Sequence, residues 1–306
     1  MIDFLMDYFR ITVHTTTEEC KELYDRYFKE ALGNLVESPL GAKGYKGVYE
    51  SAQGFQLKHN PGYDRDYCTF EFPGGACKAI PPDFFLPYYR YLVNNEIRFN
   101  VTRIDLAFDN VPFSPKQFRD AIDEDLANPE LKIIRSLSQR ESLSWRSKPY
   151  KEKEDGTGLG RDTCYFGSRS SDRYLRVYNM RGPTRIEIEL KGERASLVAA
   201  DLMSNQIDNW FEIMIGHLLD FIDIEKDWWK EFIGDSERAW GKMESPEVQD
   251  IQKLLNWYID DLSASYAVLH EYTNGNIGKI LLRYGRPKME KNYANLLSLI
   301  HKPKYV

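Results

Sequence analysis

Residues 162–191 read DTCYFGSRSSDRYLRVYNMRGPTRIEIELK, and the last eight of them set the plan of the molecule. Arg185, Glu187, Glu189 and Lys191 alternate with Ile186, Ile188 and Leu190. That is the period of a half-buried β-strand, so the charges share one face and the aliphatics the other. Upstream, TRIDLAFDN (Thr102–Asn110) repeats the device, with Arg103, Asp105 and Asp109 opposite Ile104, Leu106 and Phe108. Two strands that each commit a sheet face to carboxylates point to a metal site. The competing reading is cross-strand pairing of these acids with Arg103, Arg185 and Lys191. The same stretch carries a turn with a phosphate-seeking side chain, Gly167-Ser168-Arg169. It also holds two further cations, Arg173 and Arg176, and three phenols, Tyr165, Tyr174 and Tyr178.

The chain around it has 306 residues, enough for one large or two ordinary domains with a sizeable core. No run is long and apolar enough to span a bilayer. The N-terminus, MIDFLMDYFR, has acids among its apolar residues and no basic leader, so it reads as a first strand rather than a signal peptide. Cys20, Cys68, Cys77 and Cys164 form no CxxC pair. Free thiols in a cytoplasmic protein are the expectation. The five histidines are scattered with no His-x-His pair, which argues against a histidine-held metal, a zinc hydrolase or a Ser-His-Asp triad.

The net charge is −6, an unpromising total for a nucleic-acid binder. Its distribution is more informative. Lys132–Arg194 holds 15 Lys and Arg against 9 Asp and Glu, while the remainder holds 26 against 38. The basic excess therefore coincides with the motifs, and a local basic face binds phosphate whatever the total.

In chain order, Tyr8–His14 reads as a strand. Thr15–Thr17 with Glu18 and Glu19 then starts a helix that runs to about Leu32. Gly44–Lys58 and Tyr67–Phe72 read as strands, the second ending at Pro73-Gly74-Gly75. Helices are expected over Phe84–Asn95 and from Ser114-Pro115 to about Ala127, with Phe99–Asp109 as a strand between them. Leu131–Trp145 reads as one long strand or two short ones. Lys148–Arg161 is polar and glycine-rich without the dinucleotide-binding spacing, and reads as a hairpin loop. After Gly192 the texture turns helical: Glu193–Ser204, Asn209–Ile222, Pro246–Tyr272 and Lys288–Ile300. The expected fold class is α+β, with a largely antiparallel sheet, helices on one side of it and a mostly helical C-terminal part. The expected division is residues 1–192 as the sheet domain and 193–306 as a helical region packed on it.

Three motifs, RIDLAFD (Arg103–Asp109), YFGSRSSDRYLRVYN (Tyr165–Asn179) and RIEIELK (Arg185–Lys191), resemble the Rep_trans family of rolling-circle replication initiators and related conjugative relaxases. FEFPGGACKAI (Phe70–Ile80) is a weaker echo. The motifs span about the first two thirds of the chain, and their order is more specific than any one of them. The resemblance implies a metal-dependent tyrosine nickase and strand transferase. Its nucleophile lies in the Arg-Val-Tyr-Asn context, which falls on Tyr178. The family's following lysine is replaced by Met180.

The resemblance further implies Mg²⁺ or Mn²⁺ held by Asp105, Asp109 and Glu187, with Glu189 ranked below Glu187. Read from the residues, the candidate phosphate contacts are Arg169, Arg173, Arg176, Arg185 and Lys191. The implied substrate is origin DNA, with an inverted repeat or hairpin and a single-stranded nick site. Nicking would leave a 5′-phosphotyrosine and a 3′-OH that primes a host polymerase. A host helicase is an implied partner, a homodimer is compatible, and a membrane is not expected. Within the family, initiator and relaxase compete. From a different class, a non-catalytic DNA-binding replication-control protein is the alternative.

Overall fold

The computed structural model describes residues 2–39, 41–42, 44–60, 67–81, 84–127, 144–148, 161–179, 183–237 and 263–292. The chain divides into two compact units, Met1–Gly241 and Lys242–Val306.

The first unit is built on one ten-stranded sheet in the order β2-β3-β4-β5-β1-β6-β10-β9-β8-β7. Its strands are β1 (Asp3–Val13), β2 (Val36–Glu37), β3 (Gly47–Glu50), β4 (Gln56–His59), β5 (Cys68–Phe72), β6 (Phe99–Asp109), β7 (Ser144–Lys148), β8 (Arg161–Phe166), β9 (Arg173–Asn179) and β10 (Thr184–Lys191). Every pairing is antiparallel. The two carboxylate strands are neighbours, and Glu189 lies opposite Asp105, Glu187 opposite Ala107 and Arg185 opposite Asp109. On the other side of β10, Glu187 faces Arg176 and Arg185 faces Tyr178.

The aliphatic face of the sheet is the core. Ile104, Leu106, Phe108, Leu175, Val177, Ile186, Ile188 and Leu190 are all buried there. Helices α1 (Thr17–Tyr27), α2 (Lys29–Leu32), α3 (Gly74–Ala79), α4 (Phe85–Asn94), α5 (Pro115–Ala127), α6 (Gly192–Ser204), α7 (Trp210–Phe221) and α8 (Asp227–Ile233) contribute buried residues to the same core. Helix α1 starts with a capping box: the Thr16 hydroxyl accepts from the Glu19 amide at 3.2 Å, and the Glu19 carboxylate accepts from the Thr16 amide. Phe28, just beyond α1, meets Phe72 and Tyr88 edge-on, with ring centres 4.9 and 5.0 Å away. A second aromatic group joins Phe113 and Phe118 to Trp229 and Phe232 of α8. Burying each such ring contributes about 1.5–3 kcal/mol. With the helices on the aliphatic face, the charged face of β6, β10 and β9 is left for chemistry.

Several elements differ from the sequence reading. Gly44–Lys58 is not one strand but the hairpin β3–β4, turned at Gly54 with φ +81°. Pro73-Gly74-Gly75 does not merely end β5; it opens the short helix α3. In the second unit, α9 (Ser263–Tyr272) and α10 (Ile277–Asn292) are joined by a tight turn. Helix α10 begins eleven residues before the expected Lys288, because the helix continues through Pro287 instead of starting after it. The loop reading at Lys148–Arg161 falls outside the described residues except at its ends in β7 and β8, which pair antiparallel. Met180 lies outside the described residues. Among the described residues, no helix is long and apolar enough to cross a membrane.

Candidate active site

Strand pairing gathers five carboxylates and four cations on the charged face of β1, β6, β10 and β9. They form two clusters, each centred on an arginine. In the first, the Arg176 Nη2 donates to Glu187 Oε1 and lies 3.3 Å from Asp105 Oδ2 and 3.7 Å from Glu189 Oε2. Arg103 grips Asp105 with two hydrogen bonds of 2.8 and 2.6 Å and reaches Glu189 at 2.9 Å. Its guanidinium lies over the Tyr8 ring, 4.1 Å from the centroid. Lys191 pairs with Glu189 at 2.7 Å and donates to the Arg169 carbonyl at 2.7 Å.

The second cluster surrounds Arg185. Its Nε and Nη2 both donate to Asp109, the latter at 2.7 Å, and its Nη1 lies 3.2 Å from Asp7. Asp109 therefore stands with Arg185 and Asp7, while Glu189 joins Asp105 and Glu187 around Arg176. The sequence reading grouped Asp109, not Glu189, with the leading ligands.

Asp7 was missed by the sequence reading. A β-bulge between Met6 and Tyr8 turns both Asp7 and Tyr8 toward the charged face. The signal was present: the core positions Phe4 and Met6 change phase to Phe9, Ile11 and Val13 across one extra residue.

Tyr178 stands between the clusters. Its hydroxyl donates to Glu187 Oε2 at 2.9 Å, and Arg185 lies opposite it across the β9–β10 ladder. Burial first, and the Glu187 charge second, push the phenol well above its ordinary pKa. Burial likewise pushes Glu187 up to about 7, against the lowering pull of Arg176 and with the Asp105 charge adding to the rise. Asp105 is raised by burial, with Arg103 opposing. Burial also works to raise Glu189, but the Lys191 hydrogen bond, Arg103 and Arg176 outweigh it and hold that carboxyl below its ordinary range. Asp105, Arg185 and Glu187 are only 2–3% exposed, so each depends on its partners to offset the loss of water.

The remaining candidates are placed differently. Tyr174 is buried and stacked on Tyr165 with ring centres 5.8 Å apart, and the exposed Arg169 guanidinium lies 5.7 Å from its ring. Arg173 points to the helix side of the sheet. It bonds to Asp220 at the end of α7 and lies 4.8 Å from the Phe221 ring, so it belongs to the scaffold and not to the charged face. The turn between β8 and β9 is set by Gly167, at φ +89°, where an added Cβ would meet the Arg173 carbonyl at 3.0 Å.

The comparisons with known proteins agree with this architecture. Among curated proteins none matches the chain. Among solved structures, that of a rolling circle replication initiator protein from Geobacillus stearothermophilus superposes with a TM-score of 0.58 at 20% identity, over 79% of this chain and 100% of that one. That likeness establishes a shared fold. The family model for replication initiation factors, Rep_trans, matches residues 99–284, well over half of the sequence and including β6, β9 and β10. The chain belongs to the Rep_trans family of replication initiation factors.

Proposed function

We propose that the charged sheet face nicks and rejoins one DNA strand at a replication origin, with Tyr178 as the nucleophile. The observation that carries this reading is the 2.9 Å hydrogen bond from the Tyr178 hydroxyl to a buried glutamate on the neighbouring strand. The phenol oxygen attacks phosphorus, and its proton passes to Glu187 Oε2. The P–O3′ bond breaks, so the strand keeps a 5′-phosphotyrosine, and the departing 3′ oxygen takes a proton from solvent and becomes the primer for synthesis. Rejoining is the same displacement run backwards. A carboxylate oxygen in direct hydrogen-bond contact with the phenol is placed to accept and return that proton.

Tyr178 needs further help, because burial makes its phenol harder to ionise. Asp105, Glu187 and Glu189 would hold a divalent cation, which would supply it by drawing negative charge from the attacking oxygen and the phosphate. The donor set fits such an ion. Oxygens of Asp105, Glu187 and Glu189 already surround one cationic nitrogen, Arg176 Nη2, and hard carboxylate oxygens suit Mg²⁺ or Mn²⁺. Among the described residues, no three such side chains are already closed to coordination distance, since a guanidinium holds oxygens further apart than an ion does at about 2.0–2.6 Å. Lys191 borders the face as a cation for the phosphate, Arg185 is committed to Asp109 and Asp7, and Arg169 is exposed at the rim. Origin DNA is the substrate in this reading, and a host helicase and polymerase act downstream.

Incubation with supercoiled origin DNA and Mn²⁺ tests the reading. Wild type forms a covalent protein–DNA adduct visible on a denaturing gel. Tyr178→Phe keeps origin binding and forms none, while Tyr174→Phe retains activity. Glu187→Gln is expected to be more damaging than Glu189→Gln, because only Glu187 touches the phenol. An adduct surviving in Tyr178→Phe removes this tyrosine from the mechanism. A wild type that binds origin DNA but never forms the adduct supports the non-catalytic control protein.

A further inference from the structure

Three carboxylates cannot be withdrawn from water without a compensating cation. Asp105, Glu187 and Glu189 are all buried, and Arg176 is the cation that reaches all three. Arg103 serves Asp105 and Glu189, and Lys191 serves Glu189 alone. Arg176 holds this position poorly for itself. Its Nε is buried without a hydrogen-bond partner, and one Nη2 donates to both Glu187 and Asp105 and stands 3.7 Å from Glu189. The side chain is 23% exposed, so a way out to solvent exists. By contrast, Arg103 is bidentate on Asp105 and packed on Tyr8.

We propose that Arg176 is an exchangeable internal cation, holding the position between Asp105, Glu187 and Glu189 until a divalent ion takes it and frees the guanidinium for the phosphate beside Tyr178. The inference rests on the metal reading above. Two cations cannot share one position among three oxygens, because their repulsion in a low-dielectric site is large. Arg176 precedes Tyr178 by two residues on one strand, so the released side chain stays on the face of the attacking phenol. Its planar fork then matches two phosphate oxygens. Ion and DNA would therefore bind with positive coupling, each raising the affinity for the other by the same factor.

The test is Mn²⁺ binding to the metal-free full chain, followed by electron paramagnetic resonance of the free ion. Arg176→Met should bind Mn²⁺ at least tenfold more tightly than wild type, about 1.4 kcal/mol, because no internal cation must leave. Lys191→Met removes a positive charge from Glu189 without vacating the shared position, and should change affinity less than threefold. Equal gains in both variants would mean general electrostatics and overturn the exchange, as would unchanged or weaker binding in Arg176→Met. The metal reading fails separately if wild type and Arg176→Met both bind no Mn²⁺, or if the double variant Asp105→Asn, Glu187→Gln binds as wild type does.

Because Arg176→Met takes one cation out of a buried cluster, wild type provides an independent measurement. Saturating Mg²⁺ should shift the Arg176 Nε–H resonance, identified by its loss in Arg176→Lys. A resonance that stays fixed while its neighbours move overturns the proposal.

Discussion

Arg176 and Arg185 lie on adjacent strands of the same sheet face, yet they do different work. Arg185 is 3% exposed and holds Asp109 through two parallel hydrogen bonds, with Asp7 on its third nitrogen. Every part of its fork is used, which is the geometry of a fixed structural pair. Arg176 shares one nitrogen among three acids and leaves its Nε without a partner. The difference teaches that a charged sheet face need not be uniform. One guanidinium ties β1, β6 and β10 together, and the next occupies a position that a different cation could fill. Tyr178 stands where the two meet, and its loss is the largest effect expected: no covalent adduct, with a change in thermal stability no greater than one hydrogen bond, about 1 kcal/mol.

Stability measurements can break the contrast. Arg185→Met leaves Asp7 and Asp109 without their counter-ion, and should lower unfolding free energy by about 3–5 kcal/mol in urea titrations. Arg176→Met should cost clearly less in the metal-free protein, because Arg103, Lys191 and the Tyr178 hydroxyl still serve its three acids. Equal losses would mean that the two arginines are the same kind of pair.

A pH series sharpens the contrast. The folded pKa of Glu187 is raised from an ordinary 4.5 to about 7, so the folded state binds this proton more tightly than the unfolded state does. Its contribution to stability is full below about 4.5 and is lost as pH climbs to about 7. Asp105, also raised, acts in the same direction. The metal-free protein should therefore lose thermal midpoint from this site across that window, and Glu187→Gln should flatten the decline. A wild-type midpoint and a Glu187→Gln midpoint with the same slope would show that Glu187 titrates normally.

Smaller effects mark the edges of the site. Gly167→Ala should cost about 1–2 kcal/mol, since the residue must hold φ +89° with a carbonyl 3.0 Å from its new Cβ. Lys191→Met breaks a partly exposed ion pair and should change stability by less than about 1 kcal/mol.

Much of this molecule was legible in the residues themselves. The alternations at Arg103–Asp109 and Arg185–Lys191 assigned every side chain in them to a face, because successive residues of a strand point to opposite sides. The capping signals at Thr15–Thr17 and at Ser114 placed the starts of α1 and α5 to within a residue or two. Thus the sheet, its apolar face and its charged face followed from local pattern, whereas the candidacy of Tyr178 came from the resemblance of its Arg-Val-Tyr-Asn context to the family. Arg173 was misread as a phosphate contact although the same alternation puts it with Leu175 and Val177, three residues and therefore one face away from Arg176.

Partner choice on the charged face was settled only in three dimensions. Arginine side chains are long enough to reach several acids, so sequence spacing cannot say whether Arg176 meets Glu187 or Glu189, or that Arg185 claims Asp109. Strand register decides it, by setting which residues stand opposite one another. The bulge in β1 then adds Asp7, from a strand more than 170 residues away in sequence, to the cluster around Arg185. Periodicity is a property of each strand alone, whereas a constellation of charges depends on how the strands are aligned.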